Sequence, residues 1–197
     1  MYVVGIDLAG SEKRQTGFCI LDGMKAYTNI LHTDKEIIDK IEELKPDIVA
    51  IDAPLSLPKG RKSIEERTNV HLRECDRELL KRGIKFFPIT LGPMRKLTKR
   101  GIRLKKMLEN KGFRVIEVYP GGAQDILKIP RKQRGLDKLK RGLEKLKISG
   151  LTPKMTSHEL DAITSAFVGK LFLEGRSETL GDQKRGIVMP KPIIKDF

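Results

Sequence analysis

The chain has no tryptophan, two cysteines and three histidines, and aromatic residues fill only 5% of its 197 positions. Cys19 and Cys75 lie far apart and form neither a CxxC pair nor a Cys/His grouping. That pattern excludes a zinc ribbon and a disulfide framework. No run approaches the roughly 18 consecutive apolar residues of a membrane span. The first residues read as a core strand and not as a charged leader, so the sequence predicts a cytoplasmic protein without membrane attachment. Scarce aromatics do not mean a missing core, because 39% of the residues are hydrophobic. A chain of this length can bury a core as one domain, 1–197, without staples. Abundant Lys and Glu with few Asn and Gln give it a thermophile-like composition.

The positive charge is plentiful and uneven. The formal net charge is +14; residues 53–112 carry 17 Lys/Arg against 6 Asp/Glu, residues 128–147 carry 9 against 2, and the rest sums to −4. Two basic segments on an acidic framework suit a protein that holds a polyanion by releasing its counterions, with nucleic acid the leading candidate. Solubility alone is the plainer explanation of such charge.

Two short apolar runs each end on an aspartate. In Val3-Val4-Gly5-Ile6-Asp7-Leu8-Ala9-Gly10-Ser11 the carboxylate stands where a strand should end, before a polar, glycine-bracketed loop and a second apolar run from Thr16. Asp47-Ile48-Val49-Ala50-Ile51-Asp52-Ala53-Pro54 repeats the logic, with a proline that cannot donate to a sheet ladder. A turn aspartate capping its own backbone would explain either one alone. Together, at the ends of neighbouring central strands, the two would repel unless a cation lay between them, which makes a metal site.

The remaining periodicity predicts strands over 16–22 and 25–31, a helix opened by the capping box Thr33-Asp34-Lys35-Glu36, and a helical insertion over 54–112. Within that insertion the spacing predicts helices over 63–82 and 96–111. Phe86 and Phe87 read as core plugs under a loop, with base stacking as the alternative. Arg73 and Arg77 read as a solvated helical face or as phosphate contacts, and Arg95, Lys96, Lys99, Arg100, Arg103, Lys105 and Lys106 are the candidate phosphate-gripping cations. A fifth strand covers 113–120; its Glu117 is a surface position or an outer ligand. The last strong helix, about 156–174, opens with Thr156 and Glu159 as a second capping box. It carries His158, Asp161 and Ser165 on one shoulder of its apolar stripe.

In order, Gly5-Ile6-Asp7-Leu8-Ala9-Gly10, Ala50-Ile51-Asp52-Ala53-Pro54-Leu55, Arg73-Glu74-Cys75-Asp76, Thr98-Lys99-Arg100-Gly101, Glu117-Val118-Tyr119-Pro120 and His158-Glu159-Leu160-Asp161-Ala162 resemble an uncharacterised family of predicted nucleases with an RNase H-like fold. The likeness spans nearly the whole chain. It implies an α/β fold: a five-stranded mixed sheet with helices on both faces and the basic insertion between strands four and five. It also implies an active site of Asp7, Asp52 and Asp161, the acids that Holliday junction resolvases of this class supply from the first strand, the fourth strand and the C-terminal helix. His158 comes in through the His-x-x-Asp similar to theirs. Those resolvases place a Glu where this chain has Asp52.

Such residues offer two-metal hydrolysis of phosphodiester bonds in DNA or RNA, with Mg²⁺ or Mn²⁺ on hard oxygen ligands. Asp7 would bridge the ions, Asp52 and Asp161 would complete them, Glu117 would stand outside, and His158 would shuttle a proton or orient water. Two rivals stand beside this reading. One is a non-catalytic nucleic-acid-binding or scaffolding protein. The other is a relative of the actin-like sugar kinases, whose phosphate-binding hairpin the first strand also resembles but whose second lobe has no counterpart here.

Overall fold

The computed structural model describes residues 1–192. In chain order it contains β1 (Tyr2–Asp7), β2 (Thr16–Asp22), β3 (Lys25–Leu31), α1 (Asp34–Leu44), β4 (Ile48–Asp52), α2 (Glu74–Lys81), α3 (Gly92–Asn110), β5 (Val115–Val118), α4 (Pro120–Ile126), a 3-10 turn at Lys132–Arg134, α5 (Leu136–Lys145), α6 (Ser157–Leu173), β6 (Ser177–Leu180) and β7 (Ile187–Pro190). The strands form one mixed sheet in the order β3-β2-β1-β4-β5-β7-β6. β1 to β3 make an antiparallel meander, β4 lies parallel to β1, and β5 and β7 continue the parallel centre.

Among the described residues the sheet has seven strands, not five. β6 and β7 are four residues each, and such short runs around a Gly181 turn (φ +76°) carry too little alternation to stand out in the sequence. The helix expected over 63–82 shrinks to α2. Ahead of it, the Arg61 guanidinium takes the backbone carbonyls of Ser63, Ile64, Glu66 and Val70, which a helix would need for itself. Both capping boxes formed as the sequence predicts: Thr33 accepts from the Glu36 amide on α1, and Thr156 from the Glu159 amide on α6.

Two cores lie on opposite faces of the sheet, and period-two alternation decides which residue joins which. Val3, Ile48, Ala50, Ile116 and Val118 pack under α6 and its neighbours. Val4, Ile6, Val49, Ile51 and Val115 pack on the other face with Ile37 and Ile41 of α1 and Leu104 and Leu108 of α3. α6 is apolar on nearly every side and buried from Leu160 to Gly169, because α4 and α5 cover its outer surface. Its approach to the sheet is close enough to require glycine beneath it. A Cβ on Gly5 would meet the Ala162 carbonyl oxygen at 2.1 Å, and one on Gly17 the His158 carbonyl oxygen at 2.1 Å. These two contacts fix the height and rotation of the first turns of α6 over the ends of β1 and β2. Among the described residues no helix is long and apolar enough to cross a membrane.

Candidate active site

Asp7 and Asp52 are direct neighbours across the parallel β1–β4 pair. By alternation both share the face of Val3, Ile48 and Ala50, the face that α6 covers. α6 brings its first turn over this pair. His158 Nδ1 lies 2.7 Å from Asp7 Oδ2. Asp161, 4% exposed, accepts from Gln124 Nε2 at 2.9 Å and pairs with the Lys132 ammonium at 2.7 Å through its other oxygen. The Ser165 hydroxyl turns back to the Asp161 carbonyl and stays within the helix.

The electrostatics follow from crowding three carboxylates under little water. Burial, then repulsion from Asp7 and Asp161, pushes the Asp52 carboxyl well above its ordinary range, against the pull of Lys132. Burial likewise raises Asp161, with Lys132 opposing. His158 is raised chiefly by its hydrogen bond to Asp7. Burial would lower Lys132, but attraction to Asp161, with Asp7 and Asp52 adding, turns the balance upward. Lys132 is thus the residue that sequence reasoning missed. It sits in the second basic segment, where nothing in the spacing separates it from eight other cations. Its position comes from Arg131, which forks onto Asp125 and lies over the Tyr119 ring.

Glu117 does not join the three aspartates. Its register partner is Ile51, so it shares the opposite face with Val115. There its Oε2 accepts from Arg73 Nη1 at 2.8 Å and from the Leu55 amide at 2.7 Å. Arg73 also forks onto Asp76, and all three side chains are buried. The phosphate-contact role expected of Arg73 is therefore corrected, since its guanidinium is enclosed in this cluster. The same correction applies to Arg100, 5% exposed, which donates to Asp34 and to the Ala9 and His32 carbonyls. Arg95 pairs with Glu65, and Lys105 lies 3.7 Å from Glu109 on a side lined by Val115 and Phe172. Arg77 and Lys106 are exposed, and Lys96, Lys99 and Arg103 line a cavity with Gly10, Ser11 and Glu12, on the loop that follows Asp7. Phe87 is not a core plug: it is 69% exposed. With Phe86, Met94, Leu97 and Tyr119 it walls a cavity of about 290 Å³ that opens on Asp52 and Lys132.

A family model matches residues 5–185, with the description "Protein of unknown function (DUF429)". The chain belongs to the DUF429 family. No curated protein sequence matches this DUF429 chain. Among solved structures it is similar to Thermus thermophilus RuvC. RuvC in complex with Holliday junction substrate gives a TM-score of 0.54 at 15% identity, over 89% of this chain and 96% of that one. The T. thermophilus RuvC structure gives 0.52 at 13% identity, over 96% and 100%. The likeness shows an RNase H-like fold.

Hard carboxylate oxygens from β1, β4 and α6 are a donor set suited to Mg²⁺ or Mn²⁺. Asp52 accepts no hydrogen bond from any described residue, so its oxygens are open to a ligand. Among the described residues, however, no group of three or more Asp, Glu, His or Cys is disposed to hold a metal ion as it stands. The chain itself supplies positive charge to this cluster through Lys132.

Proposed function

We propose that this protein is a divalent-metal-dependent nuclease that hydrolyses phosphodiester bonds of nucleic acid. The observation carrying the reading is that Asp7 and Asp52 stand side by side at the ends of β1 and β4, with Asp161 of α6 near enough to repel both. Three mutually repelling, partly desolvated carboxylates are costly to fold around and suit a site that takes up cations. Basic groups accompany the site, with Lys96, Lys99 and Arg103 beside the β1–β2 loop and Lys132 on Asp161. Similarity to a RuvC structure holding Holliday junction substrate supports nucleic acid, DNA or RNA, as the partner.

Mg²⁺ or Mn²⁺, bound as a pair in the two-metal scheme, would supply an activated water and a charge clamp on the leaving oxygen. The protein's part is to position. Asp7, Asp52 and Asp161 would hold the ions, and Gln124 holds the Asp161 carboxylate in its rotamer. His158, with Nδ1 turned to Asp7, would take or return a proton through its other ring nitrogen. Lys96, Lys99 and Arg103 would grip backbone phosphates without regard to sequence. Phe87 and Phe86 offer ring faces for a base beside the scissile phosphate. Glu117 acts through structure, holding the Leu55 amide and so the turn that follows Asp52.

The test is a screen of labelled four-way junctions, flaps, duplexes and single strands, DNA and RNA, with Mg²⁺ and with Mn²⁺. Cleavage of at least one substrate by the wild type, lost in Asp7→Asn while binding survives, is the expected outcome. Full activity in Asp7→Asn would overturn the site. A wild type inactive on every substrate would leave a nucleic-acid-binding protein on a nuclease fold.

A further inference from the structure

Lys132 occupies the place where an external cation would be expected. Its ammonium lies 2.7 Å from Asp161 Oδ2, and the attraction it feels includes Asp7 and Asp52. It is not a stray surface lysine. The Arg131–Asp125 fork and the Tyr119 hydroxyl brace the preceding residue, and the 3-10 turn at Lys132–Arg134 closes on Gly135 at φ +113°. The other Asp161 oxygen accepts from Gln124, so both oxygens of this carboxylate are already engaged by the chain.

We propose that Lys132 is a built-in counter-cation: it holds the carboxylate centre together in the metal-free protein, and yields Asp161 to an incoming divalent cation. This rests on the metal-dependent reading above. Once released from Asp161, the ammonium would be free to meet a phosphate oxygen of bound nucleic acid. Lys132 is then a positioning residue that links cation loading to substrate capture.

The consequence is competition. Calorimetric titration of the full chain with Mn²⁺, without nucleic acid, should show tighter binding to Lys132→Met than to wild type. The rise should be about tenfold, the equivalent of about 1.4 kcal/mol. Removing any nearby positive charge strengthens cation binding somewhat, so Arg134→Met, in the same turn but outside the carboxylate cluster, is the control. Its affinity should move much less, and Lys132→Arg should stay near wild type. Without metal, Lys132→Met should melt below wild type, and saturating Mn²⁺ should narrow the gap. Lys132→Gln, which keeps a donor for Asp161 and drops the charge, provides the same comparison if the Met variant does not fold. An affinity for Mn²⁺ that falls, or that rises no more than in Arg134→Met, would overturn the proposal, as would absence of Mn²⁺ binding in wild type and variants alike. Tighter Mn²⁺ binding with no cleavage of any substrate would support the competition and count against the nuclease alone.

Discussion

Arg73→Met should be among the most damaging single changes outside the aspartate cluster, although Arg73 touches none of its members. The residue is 5% exposed, and its side chain bonds to Asp76 through Nε and Nη2 at 3.1 and 2.9 Å and to Glu117 through Nη1 at 2.8 Å. Methionine fills similar volume but leaves two buried carboxylates without their counter-charge. Breaking a buried pair in this way costs about 3–5 kcal/mol. For a domain of this size that corresponds to a fall in Tm of roughly 6–20 °C, at about 2–4 °C per kcal/mol. Denaturant unfolding at pH 7 reads the effect directly.

Its pH dependence has a definite sign. Burial already holds the Glu117 carboxyl above its usual range, and Arg73 is the main group pulling it back. Without Arg73 the folded-state value rises further. A carboxyl raised on folding costs stability fully above its folded value, and that cost disappears below the unfolded value of about 4.3. The gap between variant and wild type should therefore shrink as pH falls from 7 towards about 4, and Arg73→Met/Glu117→Gln should recover part of the loss at pH 7. A loss under about 1 kcal/mol, or one that stays level with pH, would refute the assignment of this cluster as structural. Unchanged stability with weakened nucleic-acid binding would restore Arg73 to the role its sequence suggests.

Two further outcomes follow from the same structure. Asp52→Asn in metal-free protein should be more stable than wild type at pH 7, by an amount on the order of 1.4 kcal/mol for each pKa unit that folding adds to Asp52. Because that carboxyl is raised, the advantage should fade as pH drops towards about 4, and an advantage that grows on acidification would contradict the crowding described here. Replacing Lys96, Lys99 and Arg103 together with Ala should flatten the salt dependence of duplex DNA binding by about 0.9 in slope per lost phosphate contact. The same slope in wild type and triple variant would reduce this face to solvated charge.

The loss of structure at different points in the sequence has different physical causes. Strands β1, β2 and β4 were legible from unbroken apolar runs and β3 from the glycine turn that joins it to β2, and the two capping boxes mark their helices by local chemistry alone. The three aspartates were legible because a charge closing an apolar strand is expensive enough to call for a reason. Glu117 fails the same test for a reason of register. It lies mid-strand and one step out of phase with Asp7 and Asp52, so alternation turns it to the α3 face, and which of the two faces it takes depends on pairing with Ile51 that only the sheet reveals. Arg73 and Arg100 look identical to surface cations in a basic segment, since their partners Glu117 and Asp34 are 44 and 66 positions away. Lys132 is the extreme case. Its importance depends on neither its neighbours nor its spacing but on a tertiary contact with Asp161, and a positive charge among nine in one segment gives no hint of which one turns inward. What the sequence does contain is the imbalance itself: three acids directed to one point need positive charge there, whether from the chain or from solution.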